Sequence, residues 1–272
     1  MMRSLWTAAS GMYAQQLSMD NIANNISNVN TYGYKSTRLE FKDLLYSNLT
    51  KATLNQNGEG SPVTLQVGSG VRSGSITRDF KTGNITTTSN NFDFAIEGNG
   101  FFCVQNAQGQ ERYTKDGTFK ISPYEDANYL TTSEGYRVLN ADGEPISFDA
   151  NILTDSITCD TAGNFGYTDP ATGNIQTLDM GLRIVQFTNV LGLESCGENL
   201  FQQTVASGEP IDENNLELGS KSVIRQSAIE ASNVDVATEM VNMIVTQRAY
   251  ELNSKAITTS DDMLAIANQL KN

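Results

Sequence analysis

The chain has 272 residues, with 31 Asp and Glu against 18 Lys and Arg, so its formal charge is −13 at pH 7. Such an acidic protein is repelled by nucleic-acid phosphates and by anionic lipid surfaces. Histidine is absent, which excludes nucleophile systems and metal sites built on imidazole. Cys103, Cys159 and Cys196 are widely spaced and odd in number, so we expect three free thiols.

No apolar run approaches the ~20 residues that a membrane helix needs. The first residues also lack the uninterrupted apolar stretch of a cleaved signal peptide. We therefore expect no membrane insertion and no cleaved signal, so that export of this chain would use another route.

Residues 1–35 predict one long helix. Their apolar residues recur every seven positions, which is the spacing of a seam along one helix face. Gly33 predicts the end of this helix, because glycine tolerates the left-handed conformation that often terminates helices. The predicted seam consists of Leu5, Met12, Met19 and Ile26.

Residues 36–72 predict a connecting segment. Within it, residues 47–66 are polar and provide almost no apolar side chains for a core. This composition is typical of a flexible link or an extended arm, and both alternatives stay open at this point.

Residues 73–232 predict an antiparallel β domain. Phe92, Phe94 and Ile96 alternate with other residues in the two-residue period of a strand. Turn dipeptides such as Asp142-Gly143 follow at short intervals, as expected between antiparallel strands.

Residues 233–272 predict a second long helix, with Asn233 as its N-cap and Asp235 near the positive end of its dipole. Arg248 lies on a helix with few charges, so we expect it to pair with a carboxylate, either Asp20 or one from a neighbouring subunit. The predicted seam consists of Val236, Met243, Tyr250, Ile257 and Leu264.

The predicted fold class is α+β, with discontinuous terminal helices that form a coiled-coil layer and a central, mainly antiparallel β domain. The charge follows the same division: residues 1–35 carry +1, residues 235–272 carry −2, and the middle carries −12. Two near-neutral helices with one narrow seam are only marginally stable as a hairpin. The pattern is typical of an intramolecular coiled coil or, more strongly, of helices that pack in an inner layer of a self-assembled polymer.

Several motifs resemble catalytic ones but fit structural roles better. Gly98-Asn99-Gly100 lacks the third glycine and the helix of a phosphate loop. Asn140, Asp142 and Glu144 lack the spacing of a calcium loop and suit a hairpin turn. Adjacent carboxylates, at residues 125–126, 212–213 and 261–262, cannot flank one scissile bond. We therefore expect a protein that is not an enzyme and that has no catalytic, cofactor-binding or metal-binding residues.

Two terminal motifs carry a resemblance to a known family. Residues 24–35 resemble the N-terminal signature of bacterial flagellar rod and hook proteins, and residues 232–264 resemble the matching C-terminal signature. Segments 41–46, 65–71, 95–102, 113–117 and 192–200 resemble the members that build the distal rod, so the resemblance covers nearly the whole chain. The signature residues are Asn24, Asn25, Asn28, Asn30, Gly33, Asn233 and Asp235.

The resemblance implies a structural subunit of the distal rod in the periplasmic part of the basal body. It implies a rigid helical tube that encloses the export channel and transmits motor torque to the hook, with residues 47–66 as a stiffening arm. The implied partners are many copies of this chain, other rod proteins, the hook protein, the basal-body rings and the flagellar type III export apparatus. The alternatives are a hook or proximal rod protein of the same family, or a secreted cell-wall hydrolase.

Overall fold

The computed structural model describes residues 2–50, 65–106, 108–124, 127–149, 156–168, 175–213 and 221–270. The chain divides into two compact units, and it passes between them more than once. The helical unit comprises residues 1–27, 37–78 and 235–272, and the β unit comprises residues 28–36 and 79–234. The α+β class is thus confirmed.

The helical unit contains two long helices and two pairs of short antiparallel strands among its described residues. Strand β1 pairs with β4, and β2 pairs with β3. Strands β2 and β3 form the two ends of the predicted arm at residues 47–66. Residues 51–64, between them, lie outside the described part of the chain. The elements are α1 (Met2–Ser27), β1 (Thr37–Asp43), β2 (Ser47–Thr50), β3 (Leu65–Val67), β4 (Val71–Arg78) and α2 (Val236–Gln269).

Both helix boundaries differ from the predicted ones. Helix α1 ends at Ser27, before Gly33, which instead adopts φ +68° in the turn that follows. Helix α2 begins at Val236 with Asp235 as its N-cap, so the prediction of Asn233 as the cap was wrong. The Asp235 side chain lies two residues nearer the helix than Asn233, so it reaches the first free N–H groups of α2. Asn233 is therefore available for other hydrogen bonds.

The β unit is built from antiparallel pairs, as predicted. Among the described residues, its largest sheet has ten strands, and its main path runs β12-β10-β11-β7-β8-β18-β17. Strand β16 pairs with β7 and β19, and β9 pairs with β10. Three strands, β13-β14-β15, form a second sheet, and β6 and β5 pair with β20 and β21. The strands are β5 (Ile85–Thr87), β6 (Phe94–Glu97), β7 (Phe101–Gln105), β8 (Glu111–Thr114), β9 (Lys120–Tyr124), β10 (Ala127–Thr131), β11 (Arg137–Val138), β12 (Ser147–Asp149), β13 (Ile157–Cys159), β14 (Asn164–Thr168), β15 (Ile175–Gly181), β16 (Ile184–Gln186), β17 (Glu194–Gly197), β18 (Leu200–Gln202), β19 (Ile211–Asp212), β20 (Val223–Gln226) and β21 (Ala228–Glu230).

Aromatic side chains fill the core of the β unit, which forms two clusters within the described part of the chain. Phe94 contacts Phe165 edge to face in the first cluster, with ring centroids 5.9 Å apart. Phe101 contacts Phe201 in the same way in the second, at 6.0 Å. Adjacent residues of one strand supply the two clusters, since Phe101 belongs to one and Phe102 to the other. Strand β7 is therefore buried on both faces.

Candidate assembly site

Three contacts define how α1 and α2 pair. The hydroxyl oxygens of Ser4 and Ser260 lie 3.3 Å apart. Seven residues further along α1, Gly11 leaves space that Asn253 fills, since a Cβ at Gly11 would lie 2.9 Å from the Asn253 amide nitrogen. Fourteen residues further again, Asn25 Nδ2 donates to Glu239 Oε1 at 3.2 Å. Equal steps in opposite directions mean that the helices are antiparallel and in one fixed register.

The contacting row is polar rather than apolar. On α1 the row follows a seven-residue spacing that includes Ser4, Gly11 and Asn25. On α2 the same spacing includes Glu239, Asn253 and Ser260, and the buried Thr246 occupies the position between Glu239 and Asn253. The predicted apolar row lies beside it on each helix. Leu5, Met12, Met19 and Ile26 are half-buried, and so are Met243, Ile257 and Leu264. Val236 and Tyr250 are exposed, at 39% and 40%.

The aliphatic surface of α2 largely faces away from α1. Val245 and Leu252 are 62% and 69% exposed, and Trp6 and Tyr13 of α1 are likewise exposed. Further exposed apolar residues are Met240, Val241, Ile244, Met263 and Ile266 of α2, and Leu270, which caps the end of this helix. An apolar surface of this extent on near-neutral helices marks an interaction site.

Arg248 is exposed and pairs within its own helix. Its Nη1 donates to Glu251 Oε2 at 2.8 Å, three residues along α2. The expected partner in the subunit, Asp20, is instead an exposed residue on α1. Asp20 borders a groove of about 540 Å³, whose lining includes Leu17, Leu39 and Ile76. The pairing of Arg248 with a carboxylate of another copy stays a prediction.

The asparagines near the end of α1 hold the start of β1. Asn25 is buried, and its amide accepts from Thr37 N at 3.0 Å and donates to Thr37 O at 2.8 Å. Asn21 Nδ2 donates to the same carbonyl at 2.7 Å. Of the other signature residues, Asn28 accepts from the Thr31 hydroxyl at 3.2 Å. Asn24 and Asn30 are exposed.

Asp235 caps α2. Its carboxylate accepts from the Thr238 hydroxyl at 2.5 Å and from Ala237 N at 3.2 Å. These hydrogen bonds, the one from Thr238 first, lower the pKa of Asp235 because they favour the ionised form. The carboxylate also lies where the helix dipole favours negative charge.

Asn233 binds two other segments of the β unit. Its Oδ1 accepts from Ser36 N at 2.7 Å. Its Nδ2 donates to Asp79 O at 2.8 Å and to Lys81 O at 3.3 Å. The side chain therefore acts as a cross-link between residues that are distant in sequence.

Lys35 and Glu230 form a buried ion pair beside it. Lys35 Nζ lies 2.5 Å from Glu230 Oε1, and both side chains are about 1% exposed. Lys35 Nζ also donates to Lys81 O at 2.7 Å, and Glu230 Oε1 accepts from Gly83 N at 2.6 Å. Burial lowers the pKa of the nearby Lys115 to about 8, and the charge of Glu230 partly opposes this shift.

The motifs that resembled catalytic ones have structural roles. Asn140 Oδ1 accepts from Asp142 N and Glu144 N at 2.9 and 3.0 Å, which closes a hairpin turn as predicted. Asp212 binds Arg183 at 2.8 Å while Glu213 accepts from Ser222, so these adjacent carboxylates point to different partners. Among the described residues, no three metal-binding side chains are grouped. Residues 125 and 126 lie outside that part of the chain.

The three cysteines are free thiols, as predicted. Cys103 is buried, Cys159 is half-buried and Cys196 is exposed. Burial raises the pKa of Cys159 to about 12 and raises that of Cys103 as well. Both thiols therefore stay protonated and unreactive at neutral pH.

Sequence reasoning missed the polar row and the Lys35–Glu230 pair. The polar row had a signal, since serine, glycine and asparagine recur every seven residues in α1. A search for apolar residues does not detect it. Glu230 had no such signal, because its partner lies 195 residues away in the chain.

Together these features define the class of protein: a structural subunit whose paired terminal helices expose apolar surface, joined to a separately packed β unit. Neither helix is both long and apolar enough to cross a membrane, within the residues that the structure describes.

Comparison with known proteins identifies the family. Residues 5–35 match the family described as flagella basal body rod protein, residues 95–167 the D1 domain of flagellar hook protein FlgE/F/G, and residues 225–270 the C-terminal region of the flagellar basal body rod FlgEFG proteins. Flagellar basal-body rod protein FlgG of Borreliella burgdorferi is 44% identical over 100% of this chain and 99% of the relative. The proteins of the same name from Buchnera aphidicola (Schizaphis graminum) and Bacillus subtilis are 41% and 36% identical, with 99% and 100% of this chain covered and 100% of each relative.

The chain therefore belongs to the flagellar basal-body rod protein family, of the FlgG type. This membership makes it a structural component of the flagellar basal body, and it confirms the resemblance found in the terminal motifs.

Proposed function

We propose that this chain is the distal rod subunit, which self-assembles through its terminal helices into a rigid tube that encloses the export channel and transmits torque to the hook. The observation that carries the proposal is the exposed apolar surface of α2 and of the start of α1. Fully burying one leucine or valine stabilises an interface by about 1.5–3 kcal/mol, so several such residues per subunit favour a polymer strongly.

The polar row supports the same conclusion. Because Ser4, Asn25 and Asn253 occupy the contact between α1 and α2, the buried residues of α2 are the polar Thr246 and Ser260, and none of its described apolar side chains is fully buried within one subunit. The helices of an isolated chain are then weakly held, and burial against other copies supplies the missing stability. The acidic middle of the chain keeps unassembled subunits apart.

The proposed organisation assigns residues 1–35 and 233–272 to the inner layer of the tube and residues 73–232 to its outer part. Residues 36–72 connect the two and include the stiffening arm. The proposed partners are many copies of this chain, other rod proteins, the hook protein, basal-body ring proteins and the flagellar export apparatus. No catalytic step is part of this proposal.

Replacement of Leu252 by aspartate tests the proposal. Leu252 is 69% exposed, so the free chain should fold normally, but a buried carboxylate at a subunit contact would prevent assembly. The matched control is Leu191→Asp in the β unit, where the leucine is 63% exposed.

The assay is complementation of a strain that lacks the chain's own gene, with hook-basal bodies counted by electron microscopy. We expect Leu191→Asp to give rods and Leu252→Asp to give none, while both purified chains keep the wild-type melting temperature. Normal rods from Leu252→Asp would contradict the proposed role of α2.

A further inference from the structure

The chain crosses the boundary of the β unit at four places: before residue 28, after residue 36, before residue 79 and after residue 234. The last three of these are called the first, second and third exits. We propose that Asn233, together with the Lys35–Glu230 ion pair, clamps these three exits to one another so that they carry load as one mechanical unit. This inference rests on the proposed function, because load matters only if the chain transmits torque.

The outer part of the clamp is centred on the Asn233 side chain. Its single amide binds the first exit at Ser36 N and the second exit at Asp79 O, and Asn233 itself lies on the third. The first two exits are also bonded directly, since Asp79 N donates to Ser36 O at 2.9 Å. Each exit is therefore tied to both of the others.

The inner part of the clamp repeats the same three ties in a buried setting. The Lys35 ammonium bridges Glu230 Oε1 and Lys81 O, and Gly83 N donates to the same carboxylate oxygen. Backbone bonds run in parallel, from Gly33 N to Glu230 O at 2.8 Å and from residue 231 N to residue 84 O at 2.8 Å. Separating any one exit thus requires several bonds to break together.

The chemistry of the inner part favours a role in geometry over one in stability alone. A buried ion pair contributes little net stability compared with apolar residues of similar size, because both ions lose their hydration. Glu230 Oε2 is buried and has no hydrogen-bond partner among the described residues, which adds to that penalty. Directional bonds, in contrast, resist sliding of one segment past another, which apolar contacts do poorly.

The test uses Asn233→Asp in the full chain. Aspartate keeps an oxygen that accepts from Ser36 N, but it cannot donate to Asp79 O or Lys81 O and places a negative oxygen near both carbonyls. The matched control is Asn189→Asp, which removes one bond of the same kind, to Ala206 O at 3.0 Å, elsewhere in the β unit.

Hydrogen exchange on the purified chain gives the first readout. We expect the amides of Ser36 and Asp79 to exchange on the order of tenfold faster together in Asn233→Asp, since one or two bonds are lost. The amides of core residues Cys103 and Leu130 should keep their wild-type exchange rates. In the control Asn189→Asp, all four of these amides should exchange at their wild-type rates. Wild-type exchange at Ser36 and Asp79 would overturn the clamp.

Torque under load gives the second readout. Cells with Asn233→Asp should build normal numbers of hook-basal bodies and rotate a small bead at wild-type speed, but should lose torque against a large bead. Unchanged torque together with faster exchange would overturn the mechanical role. If Asn233→Asp fails to fold, Asn233→Ala removes the bonds to Asp79 O and Lys81 O, and also the bond from Ser36 N, without adding a charge. It must give the same two results.

Failure of the proposed function has a different signature. In that case the wild-type chain would not restore rods to a strain that lacks its gene, whatever the exchange rates of Ser36 and Asp79.

Discussion

Removal of the Lys35 charge should destabilise the β unit strongly. In Lys35→Met, Glu230 stays buried without its counter-ion, and breaking a buried pair in this way costs about 3–5 kcal/mol. Glu230 keeps its bond from Gly83 N, so we expect about 3 kcal/mol. For a unit of roughly 165 residues, this lowers the melting temperature by about 6–12 °C.

The assay is differential scanning calorimetry of the full chain, with a double-mutant cycle. The variant Lys35→Met/Glu230→Gln removes both charges and should recover more than half of the lost stability, because no uncompensated ion remains. The control is Lys81→Met: the Lys81 ammonium lies 3.6 Å from the Asp79 carboxylate, and the Lys81 side chain is 83% exposed. This change should cost less than about 1 kcal/mol of stability. A single variant that melts within 2 °C of the wild type, or a double variant with additive losses, would refute the reasoning.

Three further predictions concern a turn, a cap and a buried amine. Gly33→Ala should lower the β unit's stability by about 1–3 kcal/mol in urea unfolding, because φ is +68° and a Cβ would lie 2.7 Å from Asp116 N; an unchanged midpoint would contradict this. Asp235→Ala should lower the helicity measured by far-ultraviolet circular dichroism at pH 7. Because the folded pKa of Asp235 is depressed, its contribution is present above the unfolded value of 3.8 and is lost as the pH falls through the lower folded value, so the difference from the wild type should vanish in strong acid. For Lys115, the folded pKa of about 8 lies below the ordinary lysine value of 10.5, so this amine makes the free energy of unfolding rise with pH between those two values. Lys115→Met should remove that rise. The difference in melting temperature between this variant and the wild type should therefore change between pH 7 and pH 10. A constant difference would count against burial as the cause of the lowered pKa.

Much of the fold follows from local patterns. The seven-residue apolar spacing predicted both terminal helices, and the two-residue alternation of Phe92, Phe94 and Ile96 predicted strands in the middle. The hairpin around Asp142-Gly143 was predictable because Gly143 adopts φ +84°, which glycine tolerates. Periodicity and turn residues depend only on neighbours in the sequence, so the sequence alone shows them.

The helix boundaries were less predictable. Asn233 and Asp235 are both good N-cap residues, and their order in the chain does not tell which one meets the helix. The choice depends on competing partners: Asn233 is bound to Ser36 and Asp79, and Asp235 is left to cap α2.

The sequence by itself determined the helical ends, the β-rich middle, the separation of neutral and acidic segments, and the family. Only the tertiary structure decided that a polar row containing Ser4, Gly11 and Asn253 sets the register of the helix pair, and that Lys35 meets Glu230. The physical reason is that periodicity defines which face of a helix is apolar but not which residues it meets. Contacts across 195 residues arise only when the chain has folded.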